Sequence, residues 1–392
     1  MKYTTALIVA YYVLTMLFPS NNPLVETQRI YPQVCMAIIC IYLLCDAIKN
    51  RALISESKIM RAFIPLVTIG FIYILYPMYN QNGQNVLFSN GITFLKDFMG
   101  IPFMFYIYTQ MQKDEENCIR NIKIIFAFQL IYAFYSLWYD RQLFLLKAVA
   151  EGFDSNSGFI LVCCIPMTLL IKQSKLKMYL YITLCLACIY CGQRSAALAA
   201  LVTIPLCFKK LISSIKPIDA IVFLLCFILF GLPVLLESIN NLIIRNQVDA
   251  ANNQIGSGRG EFWMYVWNGI WNSPLHEIIF GHGSSTVQLL LEKKYGLHIL
   301  SHNGWLDYLY MYGLIGFFIY FKSIITLFIE QRLFFDKHSK YKKCLTILFV
   351  IFLVKCSTSH GNWDVFTLPM AMCLGIIAHK FKTHTEYDFD EN

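Results

Sequence analysis

Long apolar runs recur along the whole of this chain, and they constrain its fold more than any other feature of the sequence. Most of the runs are about 16–22 residues long, which matches an α-helix that crosses the hydrocarbon layer of a bilayer. Charged residues make up only 14% of the sequence, whereas they make up roughly a quarter of a typical soluble domain. The runs do not alternate with a period of two, so they do not indicate a transmembrane β-barrel. We therefore predict an all-α, polytopic integral membrane protein.

The apolar runs predict about twelve transmembrane helices within a single membrane domain that covers residues 1–392. We place these helices at 4–20, 31–48, 60–78, 91–111, 120–138, 157–172, 177–191, 194–208, 217–236, 302–328, 343–358 and 365–381. The longest connection, residues 237–301, precedes the tenth span and is predicted to contain an amphipathic helix that lies in the membrane interface.

Basic residues are distributed unequally between the two sides of these spans. Of the 32 Lys and Arg, 21 fall on the side of residue 1 and eight on the opposite side. Because cytoplasmic segments of membrane proteins are rich in Lys and Arg, both termini are predicted to be cytoplasmic and the 237–301 loop to lie outside. The formal net charge of +8 then reflects topology and contact with anionic lipid, and no nucleic-acid partner is expected.

One candidate site residue is Arg194, at a sharp bend between the predicted spans 177–191 and 194–208. Its guanidinium can bind two phosphate oxygens at once, and the predicted topology places it on the outer face. The alternative is that Arg194 extends toward lipid head groups and binds no substrate. This motif alone leaves both interpretations open.

A second candidate lies in the glycine-rich segment GSGRGEFW, residues 256–263, within the outer loop. An aromatic face follows at helical spacing and comprises Phe262, Trp263, Val266, Trp267, Ile270 and Trp271. Arg259 is predicted to lie at the amino terminus of this helix, where backbone N–H groups favour anions. A helix without a ligand is the alternative, but Arg194 on the same face favours an anion site. Glu261 is a further candidate for substrate binding.

The third candidate segment is SHNGWLDYLYMYGLIG, residues 301–316, at the entry to the tenth span. Ser301 is predicted to cap the helix, with His302 and Asn303 in its first turn and Asp307 one turn later. A helix dipole disfavours an imidazolium there, so His302 is expected to be neutral, as a general base must be. The alternative is a structural histidine. His302 is also predicted to head a packing stripe formed with Leu306, Leu309, Gly313 and Gly316.

The last outer connection carries His360 and Asp364. Asp364 could orient an arginine or a histidine, or bind sugar hydroxyl groups, and the alternative is a polar turn. Four charged residues fall inside predicted spans and are assigned no chemistry: Lys96, Asp97, Lys322 and Lys355. A local pair of Lys96 with Asp97 and an outward-extending Lys355 are the simplest interpretations.

Four motifs occur in a fixed order between residues 191 and 364: GQRSA, GSGRGEFW, FGHGSS and SHNGWLDYLYMYGLIG. In this order and on this common face, they resemble the membrane family of O-antigen polymerases and O-antigen ligases. The amino-terminal half of the chain resembles that family only as a string of apolar spans.

The resemblance implies a metal-independent, inverting glycosyltransferase of lipopolysaccharide biosynthesis in the bacterial inner membrane, with a periplasmic active site. Its donor would be a glycan on undecaprenyl diphosphate. Arg194 and Arg259 would bind the diphosphate and stabilise the leaving group, and His302 would take the proton of the acceptor hydroxyl. The resemblance thus assigns catalysis to these three residues. Substrate binding is assigned to Arg194, Arg259, Asn303, Asp364, His360 and Glu261.

Side chains supply the positive charge in this scheme, so no metal and no cofactor are expected. The expected partners are lipid-linked oligosaccharides, membrane lipid, a chain-length regulator and a flippase. The motif forms favour a polymerase, which extends a lipid-linked repeat unit, over a ligase, which transfers the glycan to lipid A–core. A flippase or transporter of lipid-linked oligosaccharides is an alternative of a different class. It would place functional charges at mid-membrane in broken helices, whereas these candidates gather on one face.

Overall fold

The computed structural model describes residues 1–19, 30–76, 86–147, 155, 157–212, 259–334, 340–359 and 367–390, with isolated helical positions between 225 and 247. Within these ranges every regular element is a helix. The helices are α1 (Lys2–Leu17), α2 (Ile30–Lys49), α3 (Arg51–Glu56), α4 (Lys58–Ile72), α5 (Leu87–Phe98), α6 (Gly100–Lys113), α7 (Glu115–Lys147), α8 (Ser157–Leu170), α9 (Ser174–Tyr190), α10 (Arg194–Ile212), α11 (Arg259–Trp271), α12 (Leu275–Phe280), α13 (Thr286–Tyr295), α14 (Gly304–Phe334), α15 (Lys340–Thr358) and α16 (Leu368–Asp390).

Membrane-compatible helices are present, as the apolar runs predict. Among the described residues, three helices are long and apolar enough to cross a bilayer: Ile30–Lys49, Glu115–Leu145 and Gly304–Leu327. Shorter apolar helices cover Lys2–Leu17, Ser157–Leu170 and Arg194–Cys207. The all-α class is confirmed for the described part of the chain. A described helix overlaps eleven of the twelve predicted spans, and the remaining one, 217–236, falls largely outside the described residues. The number of membrane crossings stays a prediction.

The helices pack around a buried, largely apolar core. Helix α6 packs against α16, α4 against α14, and α10 and α14 against α15. Small residues allow close approach, since a Cβ on Gly375 of α16 would lie 2.7 Å from the Ile107 side chain of α6. Aromatic rings fill the space between α5 and α14, where Phe98 meets Tyr312 with ring centroids 5.8 Å apart.

Two of the predicted continuous spans are divided. The span 91–111 forms α5 and α6, which meet at Met99, and this residue keeps helical dihedral angles (φ −56°, ψ −32°). The span 302–328 is interrupted inside α14 at Gly313, where φ is 63° and ψ is −171°. The first junction keeps helical dihedral angles, and the second is a break that no continuous helix accommodates.

Candidate functional site

The entry to α14 differs from the prediction in its first residues. The helix begins at Gly304, and the Asn303 side chain caps it by accepting from the N–H groups of Trp305 (3.2 Å) and Leu306 (3.3 Å). The prediction that Ser301 is the cap, with His302 and Asn303 in the first turn, is therefore wrong. Asn303 is the capping residue because its side-chain oxygen accepts from the second and third N–H groups of the helix.

His302 lies just before the helix in the left-handed region, with a φ of 61°. This conformation is uncommon for a residue with a side chain, and it turns the backbone sharply between Ser301 and Asn303. His302 therefore does not head a helical stripe, and the predicted stripe is also interrupted at Gly313, where the dihedral angles are not helical. The Asp307 carboxylate holds the turn from inside, because its Oδ1 accepts from the Ser301 N–H at 3.1 Å.

An indole of helix α11 forms a hydrogen bond with this turn. Trp263 Nε1 donates to the Ser301 carbonyl at 2.9 Å, directly beside His302. Arg259 is the first residue of α11, as predicted, and it lies four residues before Trp263 on the same face of the helix. The arginine and the histidine turn are thus presented by two elements that contact each other.

The far side of the site is the carboxyl end of α15. Arg259 Nη1 donates to the Thr358 carbonyl at 2.9 Å, and Trp305 Nε1 donates to Ser357 Oγ at 3.2 Å. Both partners lie in the last turn of α15. Arg259, Trp263, Trp305 and the end of α15 therefore form one connected cluster of hydrogen bonds around the His302 turn, and we call it the outer cluster.

Arg194 is the first residue of α10. Because α10 packs against α15, the direction of α10 along α15 decides which end of α15 lies near Arg194. Near the other end of α10, Cys207 lies within electrostatic reach of Lys343 and Cys344, at the start of α15. The two helices therefore run in opposite directions. Arg194 accordingly lies toward the end of α15 that contains Thr358.

Helix α8 supports the same placement of Arg194. Its Pro166 carbonyl accepts from Cys344 Sγ at 3.2 Å, and a Cβ on Gly158 at its start would lie 3.0 Å from Ala196 Cβ. Thirteen residues separate position 194 from 207 and likewise 344 from 357, so each segment covers about 20 Å of helix. Three of the predicted site residues, Arg194, Arg259 and His302, thus lie toward the same end of α15.

Glu261 is exposed and faces a different neighbour from the outer cluster. It interacts electrostatically with Tyr295 at the end of α13. The pKa of the Tyr295 hydroxyl is raised, first by its partial burial and then by the negative charge of Glu261. The structure therefore places Glu261 beside α13. The predicted apolar face of α11 divides in the same way: Val266 and Ile270 are buried, whereas Trp267 and Trp271 are 43% and 52% exposed.

Several other candidates can be located only in part. His360 and Asp364 lie outside the described residues, and so does the side chain of Lys96. Asp97 is buried and its Oδ2 accepts from the Tyr312 hydroxyl at 3.1 Å. Lys355 is only 5% exposed, so the prediction that it extends outward is wrong: it lies inside the bundle one turn before Thr358.

The loop that carries the FGHGSS motif supplies hydrogen-bond donors to the carbonyl groups beside the α14 break. From the sequence, this motif contributes only to the family resemblance. The N–H groups of His282 and Gly283 donate to the carbonyls of Tyr310 and Met311 at 3.0 and 2.9 Å. A Cβ on Gly281 or on Gly313 would overlap the backbone of the other segment, and both glycines have positive φ. The pair of glycines in GHG was the available signal, because such residues permit close backbone approach.

The described residues contain no group of three or more His, Cys, Asp or Glu placed to hold a metal ion. The positively charged side chains toward the outer cluster include Arg194, Arg259 and the buried Lys355. A guanidinium presents five N–H donors in a planar fork and stays charged at all physiological pH values. Chemically, this end of the bundle can therefore bind anionic oxygen atoms and present one imidazole.

A family model described as O-antigen ligase matches residues 179–321. Over this segment the chain is similar to that family. The match covers α10, α11, the Gly281–Gly313 contact and the His302 turn, which confirms the resemblance stated from the motifs. The end of α15 lies beyond the matched residues. No curated protein matches the chain significantly.

Proposed function

We propose that the protein is a periplasmic polymerase of lipid-linked O-antigen repeat units in the bacterial inner membrane. The observation that carries the proposal is the outer cluster, in which Trp263 joins the arginine-bearing helix α11 to the His302 turn. A ligase remains a second candidate because the matching family model carries that description. A transporter is not favoured, since the carbonyl groups freed by the break at Gly313 bind the loop backbone.

In the proposed reaction, Arg194 and Arg259 bind the diphosphate that joins the donor glycan to undecaprenol. The bond between the anomeric carbon and the phosphate oxygen breaks, and the diphosphate leaves with the electron pair. Charge grows on the leaving oxygen during this step, so the two guanidinium groups stabilise the transition state more than the bound donor.

His302 takes the proton from the acceptor hydroxyl as that oxygen bonds to the anomeric carbon. The positive end of the α14 dipole beside His302 favours the neutral imidazole, which is the form that can accept a proton. A single displacement from the face opposite the leaving group inverts the configuration at the anomeric carbon. Asn303 is occupied in capping α14, so its proposed contribution is to fix the His302 turn.

The proposal is tested in a deletion strain complemented with single variants, by gel analysis of surface polysaccharide. We expect Arg194→Ala, Arg259→Ala and His302→Ala to lose the polymer ladder and to keep one repeat unit on lipid A–core. Arg259→Lys should be nearly as defective, because an ammonium group does not reproduce the fork. The matched control is Lys293→Ala, which removes an exposed cation of α13 in the same loop and should leave the ladder intact.

The same gel separates the candidate functions. Loss of all attached glycan, with long lipid-linked chains accumulating in the membrane, would identify a ligase instead. A normal ladder in the His302→Ala strain would refute the assignment of His302 as the base.

A further inference from the structure

A small cleft lies between the carboxyl-terminal parts of α1 and α7, and the reaction proposed above uses none of its residues. Five hydroxyl groups and one carboxylate line it, from Thr15, Tyr132, Tyr135, Ser136, Tyr139 and Asp140. We call it the tyrosine cleft. Its volume of about 40 Å³ holds roughly three water-sized groups. The cleft can therefore take the hydroxyl-bearing edge of one sugar ring, but not a whole oligosaccharide.

The tyrosine cleft lies at the same end of the bundle as Arg194. Ser155 connects the two places, because its hydroxyl donates to the Asp140 carboxylate and its N–H donates to the Cys191 carbonyl at 2.9 Å. Cys191 and Arg194 are three residues apart, which is at most about 11 Å of chain. A glycan whose diphosphate is bound at Arg194 can thus reach the cleft with one of its sugars.

The length of α7 places the cleft at a polar surface. The helix begins at Glu115, whose half-exposed carboxylate pairs with Lys380 at 2.6 Å. Asp140 follows 25 residues later. These residues cover about 38 Å of helix, whereas the hydrocarbon layer of a bilayer is about 30 Å thick. Glu115 and Asp140 therefore reach opposite polar surfaces, and the cleft is accessible to a water-soluble glycan.

The carboxylate of the cleft suits the hydroxyl groups of a sugar. An ionised carboxylate only accepts hydrogen bonds, and its two oxygens offer about four lone-pair sites. Asp140 can therefore accept from sugar hydroxyl groups while it binds Ser155, and bonds to a charged acceptor are the stronger kind. The neighbouring Arg141 is paired with Glu237. The negative charge of Asp140 disfavours an acidic sugar, so the chemistry selects a neutral one.

The aromatic rings of the cleft suit the C–H face of the same sugar. Tyr135 and Tyr139 are stacked, with ring centroids 6.1 Å apart and an interplanar angle of 20°. The Tyr135 hydroxyl donates to the Met16 carbonyl at 3.0 Å, which fixes this ring against the end of α1. A rigid aromatic surface beside a few polar groups is the usual composition of a small-ligand pocket.

We propose that the tyrosine cleft is a subsite for one neutral sugar residue of the lipid-linked glycan. The inference rests on the proposed function, which supplies the glycan. Asp140 accepts from the hydroxyl groups of this sugar, and Tyr139 packs against its ring. Both residues bind the substrate away from the reacting atoms. Their loss should therefore raise the KM and leave the kcat nearly unchanged.

The first test is the steady-state rate of polymerisation in membrane vesicles supplied with lipid-linked repeat units. Asp140→Asn keeps an acceptor for Ser155 but removes the charge, and we expect it to raise the KM about tenfold. Tyr139→Ala should raise the KM similarly, whereas Tyr139→Phe keeps the ring and should match the wild type. The matched control is Glu292→Gln, which removes an exposed carboxylate of α13 and should leave the KM unchanged.

The second test measures binding without catalysis. The ligand is the repeat-unit oligosaccharide released from its lipid by mild acid, titrated calorimetrically into the detergent-solubilised full chain. This oligosaccharide has no diphosphate, so the wild type and Arg259→Ala should bind it equally. Asp140→Asn and Tyr139→Ala should bind it about tenfold more weakly, and Tyr139→Phe should bind it normally.

An unchanged KM in both Asp140→Asn and Tyr139→Ala would overturn the inference. A lower kcat without a change in KM would also overturn it, and so would an oligosaccharide that does not bind the wild type. Polymer ladders in both Arg259→Ala and His302→Ala would instead refute the proposed function. Weaker oligosaccharide binding by Asp140→Asn would then still identify the cleft as a glycan subsite.

Discussion

The two helix junctions of this bundle have similar sequences and different structures. Both lie inside apolar segments that predict one continuous span, and a glycine occurs at each. At the α5–α6 junction Met99 keeps helical dihedral angles, and its carbonyl still accepts from Phe103 N–H at 3.4 Å. At Gly313 the helix stops, and the carbonyls of Tyr310 and Met311 bind a loop 28 residues earlier in the chain.

The difference shows that a glycine in an apolar span does not define its own role. Backbone carbonyls freed inside a membrane cost several kcal/mol each unless a partner is supplied. The loop 281–283 supplies that partner at Gly313, and the Tyr73 hydroxyl binds the Tyr312 carbonyl at 3.4 Å. At the α5–α6 junction Met99 stays helical, and its carbonyl keeps a partner within the same segment. A helix of this kind breaks where another segment can complete it.

The strongest test of the comparison is Gly313→Ala. A Cβ there overlaps the Gly281 backbone, and a φ of 63° with a ψ of −171° is a conformation that essentially only glycine adopts. We therefore expect about 1–3 kcal/mol from backbone strain and about 1–3 kcal/mol from overpacking. Melting temperature in detergent and membrane abundance measure the loss. The control is Gly296→Ala, which has a φ of 69° but no atom within 4 Å of the new methyl group. Equal losses in the two variants would contradict the role of the Gly281–Gly313 contact.

A smaller effect is expected from Tyr312→Phe, which removes the hydrogen bond that joins the two junctions. The hydroxyl donates to the buried Asp97 carboxylate, and bonds to charged groups contribute about 1.5–3 kcal/mol. Tyr320→Phe is the control within the same aromatic cluster, because its hydroxyl bonds to the thiol of Cys356, a weak partner. A larger loss in Tyr320→Phe, by thermal unfolding in detergent, would show that Asp97 does not connect the junctions.

The smallest effect, and one of opposite sign, is expected from Gly91→Ala in α5. Gly91 lies inside a regular helix and no atom is within 4 Å of the added methyl group. Alanine should therefore stabilise this helix by up to about 1 kcal/mol, since glycine is the poorer helix former. A rise in the melting temperature of Gly91→Ala would show that Gly91, unlike Gly313, is not required by a backbone contact. A fall as large as that of Gly313→Ala would contradict this difference.

The positions of the helices were predictable because long apolar runs are a local signal. Arg259 at the start of α11 was predictable for the same reason: the glycines before it and the aromatic face after it are neighbours in sequence. The start of α14 was not, since serine, histidine and asparagine follow one another and each can cap or precede a helix. Contacts made by Asn303 and by Trp263 decide between them.

The break at Gly313 and the buried position of Lys355 were also beyond the sequence. The residues that complete the break lie 30 positions away, and apolar periodicity continues through Gly313 without interruption. Lys355 lies in the last turn of α15, where a lysine ordinarily extends to the interface. Its burial depends on neighbours that no local pattern encodes.

The contact between Gly281 and Gly313 also limits how such proteins can recombine. Because the loop provides the backbone partners of the helix, the two segments are useful only together, although more than twenty residues of chain separate them. A chimera that exchanges the loop alone, or the first turns of α14 alone, should lose the fit between them. Crossovers placed before α11 and after α14 keep the pair intact, so the unit of exchange is the whole stretch from 259 to 334.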